Sequence, residues 1–180
     1  MKVFQLITVI AVLFCWPMKI AAPSFAHLNV SRYAGDGILT IYNVHTHEFA
    51  SIKYKDNAGN YLNSGIDEIN NILRCRLTGI EKEMSLKLIE LVDDIEDHFG
   101  KGYIEVISGY RSPVLNSGLR RAGHKVALKS LHMEGLAMDI KIPGVSFSAI
   151  RNYAKSLKAG GVGYYPNQFV HVDTGRVRYW

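Results

Sequence analysis

Residues 131–142 read LHMEGLAMDIKI, and the fold turns on this stretch. From Leu136 onward the residues alternate. Leu136, Met138, Ile140 and Ile142 fall on one face of an extended strand, and Ala137, Asp139 and Lys141 fall on the other. The apolar face is the core face. Asp139 then projects from the opposite face beside a small neighbour, Ala137, which leaves room around the carboxylate. His132 precedes the strand, beyond Gly135, where the backbone can bend. A second segment repeats the pattern. In residues 168–175, QFVHVDTG, the side chains of Phe169, His171 and Asp173 share one face, and Val170 and Val172 take the other. Two such strands can gather His132, Asp139 and His171 around one point.

Two imidazoles and one carboxylate form a three-ligand zinc set whose fourth position stays open to water, as in catalytic rather than structural sites. Zinc held in this way lowers the pKa of its water and polarises a carbonyl oxygen. The spacing alone also fits an Asp139 that caps a turn and histidines satisfied by ordinary hydrogen bonds.

Outward from these strands, GILTIYNVHTHEFASIKYK reads as two alternating strands joined near His45–Glu48, a hairpin. SGIDEINNILRCRL carries Ile66, Ile69, Leu73 and Leu77 at helical spacing, with Ser64 as its cap. EKEMSLKLIELVDDIEDHFG is the strongest helix, with a stripe of Met84, Leu88, Leu91 and Ile95 and a stop at Gly100. YIEVISGY reads as a strand, RSPVLNSGLRR as a turn into a short helix, and AGHKVALKS as loop. SFSAIRNYAKSLKAGG reads as a helix closed by Gly160 or Gly161, and QFVHVDTG as the final strand. Strands clustered with helices beside them predict an α+β domain.

The 180 residues suit a single domain, and 48% hydrophobic with 21% charged content excludes a disordered chain. Residues 1–26 stand apart. Met1 and Lys2 precede the apolar run VFQLITVIAVLFCWP, and Ser24 and Ala26 are the small residues of a cleavage site. This is the pattern of a secretory signal. The run is short for a membrane span, and Pro17 and Lys19 interrupt it. Phe14 before Cys15 argues against a lipid-attachment cysteine. Removing residues 1–26 takes two of the 21 basic residues and none of the 16 acidic ones, which leaves a balance of +3. That is too weak to argue for nucleic acid, and it is compatible with an anionic wall polymer. Cys75 is then the single cysteine, so no internal disulfide can form, and it reads as a buried small apolar residue.

SLHMEGLAMDI resembles the Ser-x-His-x-x-Gly-x-Ala-x-Asp motif of the D-Ala-D-Ala metallopeptidase group, in the superfamily that also holds lysostaphin-type peptidases and the hedgehog signalling domain. SGYRSP resembles that group's arginine-bearing loop. GGVGYYPNQFVHVDTGRVRYW resembles the C-terminal block of its MepK-type murein endopeptidase branch, and LTIYNVHTHE and ILRCRL extend the likeness upstream. The resemblance implies an α+β fold with a central antiparallel sheet and helices beside it. With the export pattern, it divides the chain into a signal peptide over residues 1–26 and a zinc peptidase domain over residues 27–180. The implied activity is zinc-dependent hydrolysis of amide bonds in murein stem peptides or cross-links, by an exported, periplasmic monomer. Neither nucleic acid nor stable membrane insertion after signal cleavage is expected. A zinc carboxypeptidase that trims stem peptides, or a zinc-bearing module without hydrolysis, are the other readings. His132, Asp139 and His171 fall on the family's zinc-ligand positions. Arg111 falls on the arginine that lines the site, where its fork of donors would hold a substrate carboxylate or a developing oxyanion.

One position departs from the pattern. Many D-Ala-D-Ala peptidases carry an acid three residues before the last zinc histidine, and here that residue is Gln168. Asp173 is the nearest carboxylate. It lies on the face of His171, roughly 6.5–7 Å along the strand. That reach fits either a general base or a group that orients a ligand. His124 and Glu134 are weaker candidates for proton transfer. His45 and His47 read as polar groups of the hairpin rather than a second metal site. The aromatic tail reads as packing, although Tyr164, Tyr165 and Trp180 are placed to line a groove.

Overall fold

The alternation in residues 38–53 yields the hairpin it predicts. Strands β1 (Ile38–Asn43) and β2 (Glu48–Lys53) pair antiparallel, from Ile38 opposite Lys53 to Asn43 opposite Glu48. The structure is a computed structural model that describes residue 33, residues 35–100 and residues 102–180. The segment read as a secretory signal lies outside them. No described helix is long and apolar enough to cross a membrane.

Helix α1 (Asn63–Ile72) is shorter than its periodicity predicts. It ends at Leu73, whose carbonyl accepts from the Tyr110 amide, and Cys75 N–H turns back onto the Ile80 carbonyl. Leu77 therefore leaves the helical stripe and is exposed. Ser64 lies inside the helix, and Leu62 holds the cap position without a side-chain bond. Helix α2 (Leu86–Phe99) follows Ser85 and stops at Gly100, whose φ of 55° is left-handed as the terminating glycine requires. Met84 precedes the helix but is buried with the stripe.

Strand β3 (Ile104–Ser108) leads to α3 (Pro113–Arg121), capped by Ser112, and a loop then reaches a 3₁₀ turn at Leu131–Glu134. Strand β4 (Ala137–Lys141) is the strand read in GLAMDIKI, and it lies at the centre of the sheet. Helix α4 (Phe147–Leu157) closes on Lys158 in a left-handed conformation rather than on a glycine. Gly160 instead permits a close approach of two backbones, since a Cβ there would stand 1.9 Å from the Asp173 carbonyl oxygen. Two strands were not anticipated. Residues 161–165, GVGYY, form β5, and Arg178–Tyr179 form β7, so β6 (Phe169–Asp173) is not the last strand. Two glycines and a two-residue length leave little alternation to detect.

The seven strands run in the order β2-β1-β3-β4-β6-β5-β7. The run β3-β4-β6-β5 is antiparallel throughout, and the parallel pairings are β1 with β3 and β5 with β7. The α+β class with an antiparallel centre is as expected. One core cluster joins Leu39 and Ile41 of β1, Met138 and Ile140 of β4, and Val170 and Val172 of β6 to Leu88, Val92 and Ile95 of α2 and Ile150 of α4. Burying Met138, Ile140, Val170 and Val172 on the core side turns Asp139 and His171 to the other side of the sheet.

Candidate metal centre

The β4–β6 register places Asp139 directly opposite His171. His132 joins them from the 3₁₀ turn. That turn ends at Gly135, where φ is 69° and a Cβ would stand 2.4 Å from the Glu83 carbonyl oxygen, so only glycine lets the chain enter β4 at this angle. His171 Nδ1 lies 2.8 Å from Asp139 Oδ1 and 3.2 Å from His132 Nε2, and His132 Nε2 lies 3.3 Å from Asp139 Oδ1. Ligands of a tetrahedral zinc ion at about 2.0–2.2 Å stand roughly 3.3–3.5 Å from one another. Three protein atoms therefore already mark one face of such a tetrahedron, and the donor set suits zinc. His132 and Asp139 are almost wholly buried.

The surrounding contacts fix which atom each residue presents. His132 Nδ1 lies 2.8 Å from the Gly109 carbonyl oxygen. A carbonyl only accepts, so Nδ1 carries the proton and Nε2 turns a lone pair to the cluster. His171 Nε2 lies 3.1 Å from Asp173 Oδ2, which leaves Nδ1 for the cluster. Arg111 donates from Nη2 to Asp139 Oδ2 and from Nε to Ser108 Oγ, the latter at 2.8 Å. The SGYRSP stretch thus supplies both the carbonyl that orients His132 and the guanidinium that holds Asp139.

The charges follow. Burial would raise the Asp139 pKa, but attraction to His132, contacts with both imidazoles and the Arg111 charge hold the carboxyl well below the usual range. Burial lowers the pKa of His132. For His171, burial is outweighed by bonds to Asp139 and Asp173, and its pKa lies above the ordinary value. Asp173 is fully buried, and its own pKa is depressed despite that burial. Its Oδ1 accepts from the amides of Gly161 and Gly175, and Arg178 grips both oxygens at 3.2 and 2.8 Å.

Above the cluster opens a cleft of about 760 Å³. Gln168, His124, Tyr165 and Trp180 line it, as do His45 and Arg76, whereas Glu134 and His47 do not. Trp180 lies against His171, with ring centroids 5.3 Å apart. Sequence reasoning did not find the Arg178 clamp or the place of His45 and Arg76 on the cleft wall. Both arise from tertiary pairing and leave no local spacing signal.

A family profile described as peptidoglycan L,D-endopeptidase MepK matches residues 32–180. The chain belongs to the MepK family. It is 38% identical over 160 residues to peptidoglycan L,D-endopeptidase MepK of Escherichia coli strain K12, covering 88% of this chain and 86% of that protein. The Shigella flexneri MepK aligns with the same values. A probable peptidoglycan L,D-endopeptidase MepK of Haemophilus influenzae is 37% identical over 146 residues, 79% of this chain and 78% of its own. The MepK family lies within the D-Ala-D-Ala metallopeptidase superfamily, as the three motifs imply, and membership implies a metal. The His132, Asp139 and His171 trio is one of two groups among the described residues that could hold one.

Proposed function

We propose that this protein is an exported zinc endopeptidase that hydrolyses an L,D-amide bond in the peptide part of murein, in the periplasm. The observation that carries the reading is the convergence of His132 Nε2, Asp139 Oδ1 and His171 Nδ1 beneath an open cleft, in a chain whose relatives are named for this reaction. A zinc ion held there supplies a Lewis acid and a water of lowered pKa.

The chain's own residues do the rest. The Gly109 carbonyl and Asp173 fix the tautomers of His132 and His171, so each offers the correct nitrogen. Arg111 restrains Asp139 Oδ2 and keeps Oδ1 toward the imidazoles. These bonds use its Nε and Nη2, which leaves Nη1 to stabilise charge that would develop on the peptide oxygen. Asp173 acts as a positioning residue. Its oxygens are occupied by two amides, a guanidinium and the His171 ring, on the side of that ring turned from Asp139.

The test is digestion of purified cross-linked murein with the zinc-loaded protein, read by new amino groups and by mass spectrometry of the fragments. Cleaved L,D cross-links are the expected result. Release of single terminal residues alone would make it a carboxypeptidase, and no new amines at all would leave a binding module.

A further inference from the structure

The last two residues of β3 hold two cationic groups side by side on the cleft wall. The Ile107 carbonyl oxygen lies 3.0 Å from His45 Nε2, and Ser108 Oγ accepts from Arg111 Nε at 2.8 Å. Arg76 Nη1 lies 3.1 Å from His45 Nδ1 and 2.6 Å from Nε2. Since Ile107 offers only an acceptor, Nε2 carries the proton toward it, Nδ1 is the ring atom able to accept, and Arg76 Nη1 stands at the ring edge within reach of both nitrogens. His45 is thus a post that ties Arg76 to the β3 backbone. Burial and the Arg76 charge both lower the His45 pKa, which keeps the ring neutral and able to accept.

The balance of charge around this post is uneven. Arg76 and Arg111 are near enough that the first disfavours charge on the second. Arg111 is balanced by Asp139 and Arg178 by Asp173. Glu48, the acid beside the β1–β2 turn, is taken by both terminal nitrogens of Arg74 at 2.9 Å. Among the described residues no carboxylate pairs with Arg76. The cleft lining holds Arg76, Arg111, Lys125, Lys129 and Arg178 against one carboxylate, Asp139. Lys125 and Lys129 sit in the loop after α3 on flexible stems, whereas Arg76 is held in place. Fixed, crowded guanidiniums with a vacant fork match a planar carboxylate, and binding one relieves their repulsion.

We propose that Arg76, braced by His45, forms an anion subsite of the cleft that takes a free carboxylate of the substrate peptide beside the amide to be cleaved. This rests on the reading of the cleft as a peptidase site, and it adds a selectivity for acidic peptides.

The experiment uses two synthetic peptides spanning an L-to-D amide bond. One has free carboxylates flanking that bond, and in the other they are amidated. Binding is measured on chelator-treated protein by calorimetry, and turnover on zinc-loaded protein. The wild type should bind the free acid about 5–50-fold more tightly, a ratio that falls with added salt. In turnover the ratio should appear in KM rather than kcat. Arg76→Ala should abolish the preference, and Arg76→Lys should restore part of it. Equal binding of both peptides by the wild type, or a preference that survives Arg76→Ala, would overturn the subsite. Cleavage without preference would remove the subsite and keep the peptidase. Arg76-dependent binding of the acid without cleavage would remove the peptidase and keep the subsite.

Discussion

Asp173 holds His171 from behind. The 3.1 Å contact is made to Nε2, the ring nitrogen turned away from Asp139, while Nδ1 faces the Asp139 carboxylate at 2.8 Å. Asp173→Asn keeps the shape but weakens the grip on the ring. Zinc affinity should fall by about 10–100-fold, with murein cleavage recovered at saturating zinc. Zinc content and cleavage measured on one sample decide the matter. A loss of turnover of about 10²–10⁴-fold with zinc fully bound would instead make Asp173 a proton carrier.

His132→Ala and His171→Ala each leave two members of the trio that could hold a metal. Both variants should lose zinc to a modest chelator that leaves the wild type loaded. Metal analysis after dialysis checks this, and full occupancy in either variant would defeat the ligand assignment.

Gly135→Ala forces a side chain into the left-handed region and toward the Glu83 carbonyl oxygen. It should cost about 1–3 kcal/mol of stability and displace the turn that carries His132. Denaturant unfolding and a zinc titration should therefore both respond, although the mutated residue touches no ligand atom.

Two buried acids on α2 make stability depend on pH. Burial, the largest influence on each, raises Asp93 from 3.8 to about 6 and Glu96 from 4.5 to about 7. The folded chain then binds more protons than the unfolded chain between those values. Their contribution is fully present below about pH 4 and is lost as pH rises toward 7. Between pH 5 and pH 8 the loss should be about 4 kcal/mol. Glu96→Gln keeps an acceptor for the Thr40 amide, which bonds Glu96 at 2.9 Å, and should flatten that slope in denaturant titrations.

Export is tested on protein from its native host. N-terminal sequencing should find a start at His27, after the Ser24-Phe25-Ala26 exit. A start at Met1 in the membrane fraction would mean an anchor instead.

The alternation of Met138, Ile140 and of Val170, Val172 made the face that carries Asp139 and His171 legible, because burying one side of a strand dictates the other. The Asp139–His171 register was not legible, since it depends on β6 pairing with β4 while β5 lies outside it. The hairpin and α2 could be read because their patterns are long and end in turn residues. The end of α1 could not, because the Tyr110 amide and a tertiary turn stop it before its periodicity runs out. Arg76 beside His45 had no signal at all, being a contact between residues 31 positions apart.

The ladder that sets Asp139 against His171 joins positions 32 residues apart, and His132 reaches them from a third segment. Among the described residues no single strand or turn supplies all three members of this trio. An ion held by this trio would therefore be captured only after the sheet has closed. Metal supply where folding finishes, rather than where translation occurs, would then decide how much of the protein carries the ion.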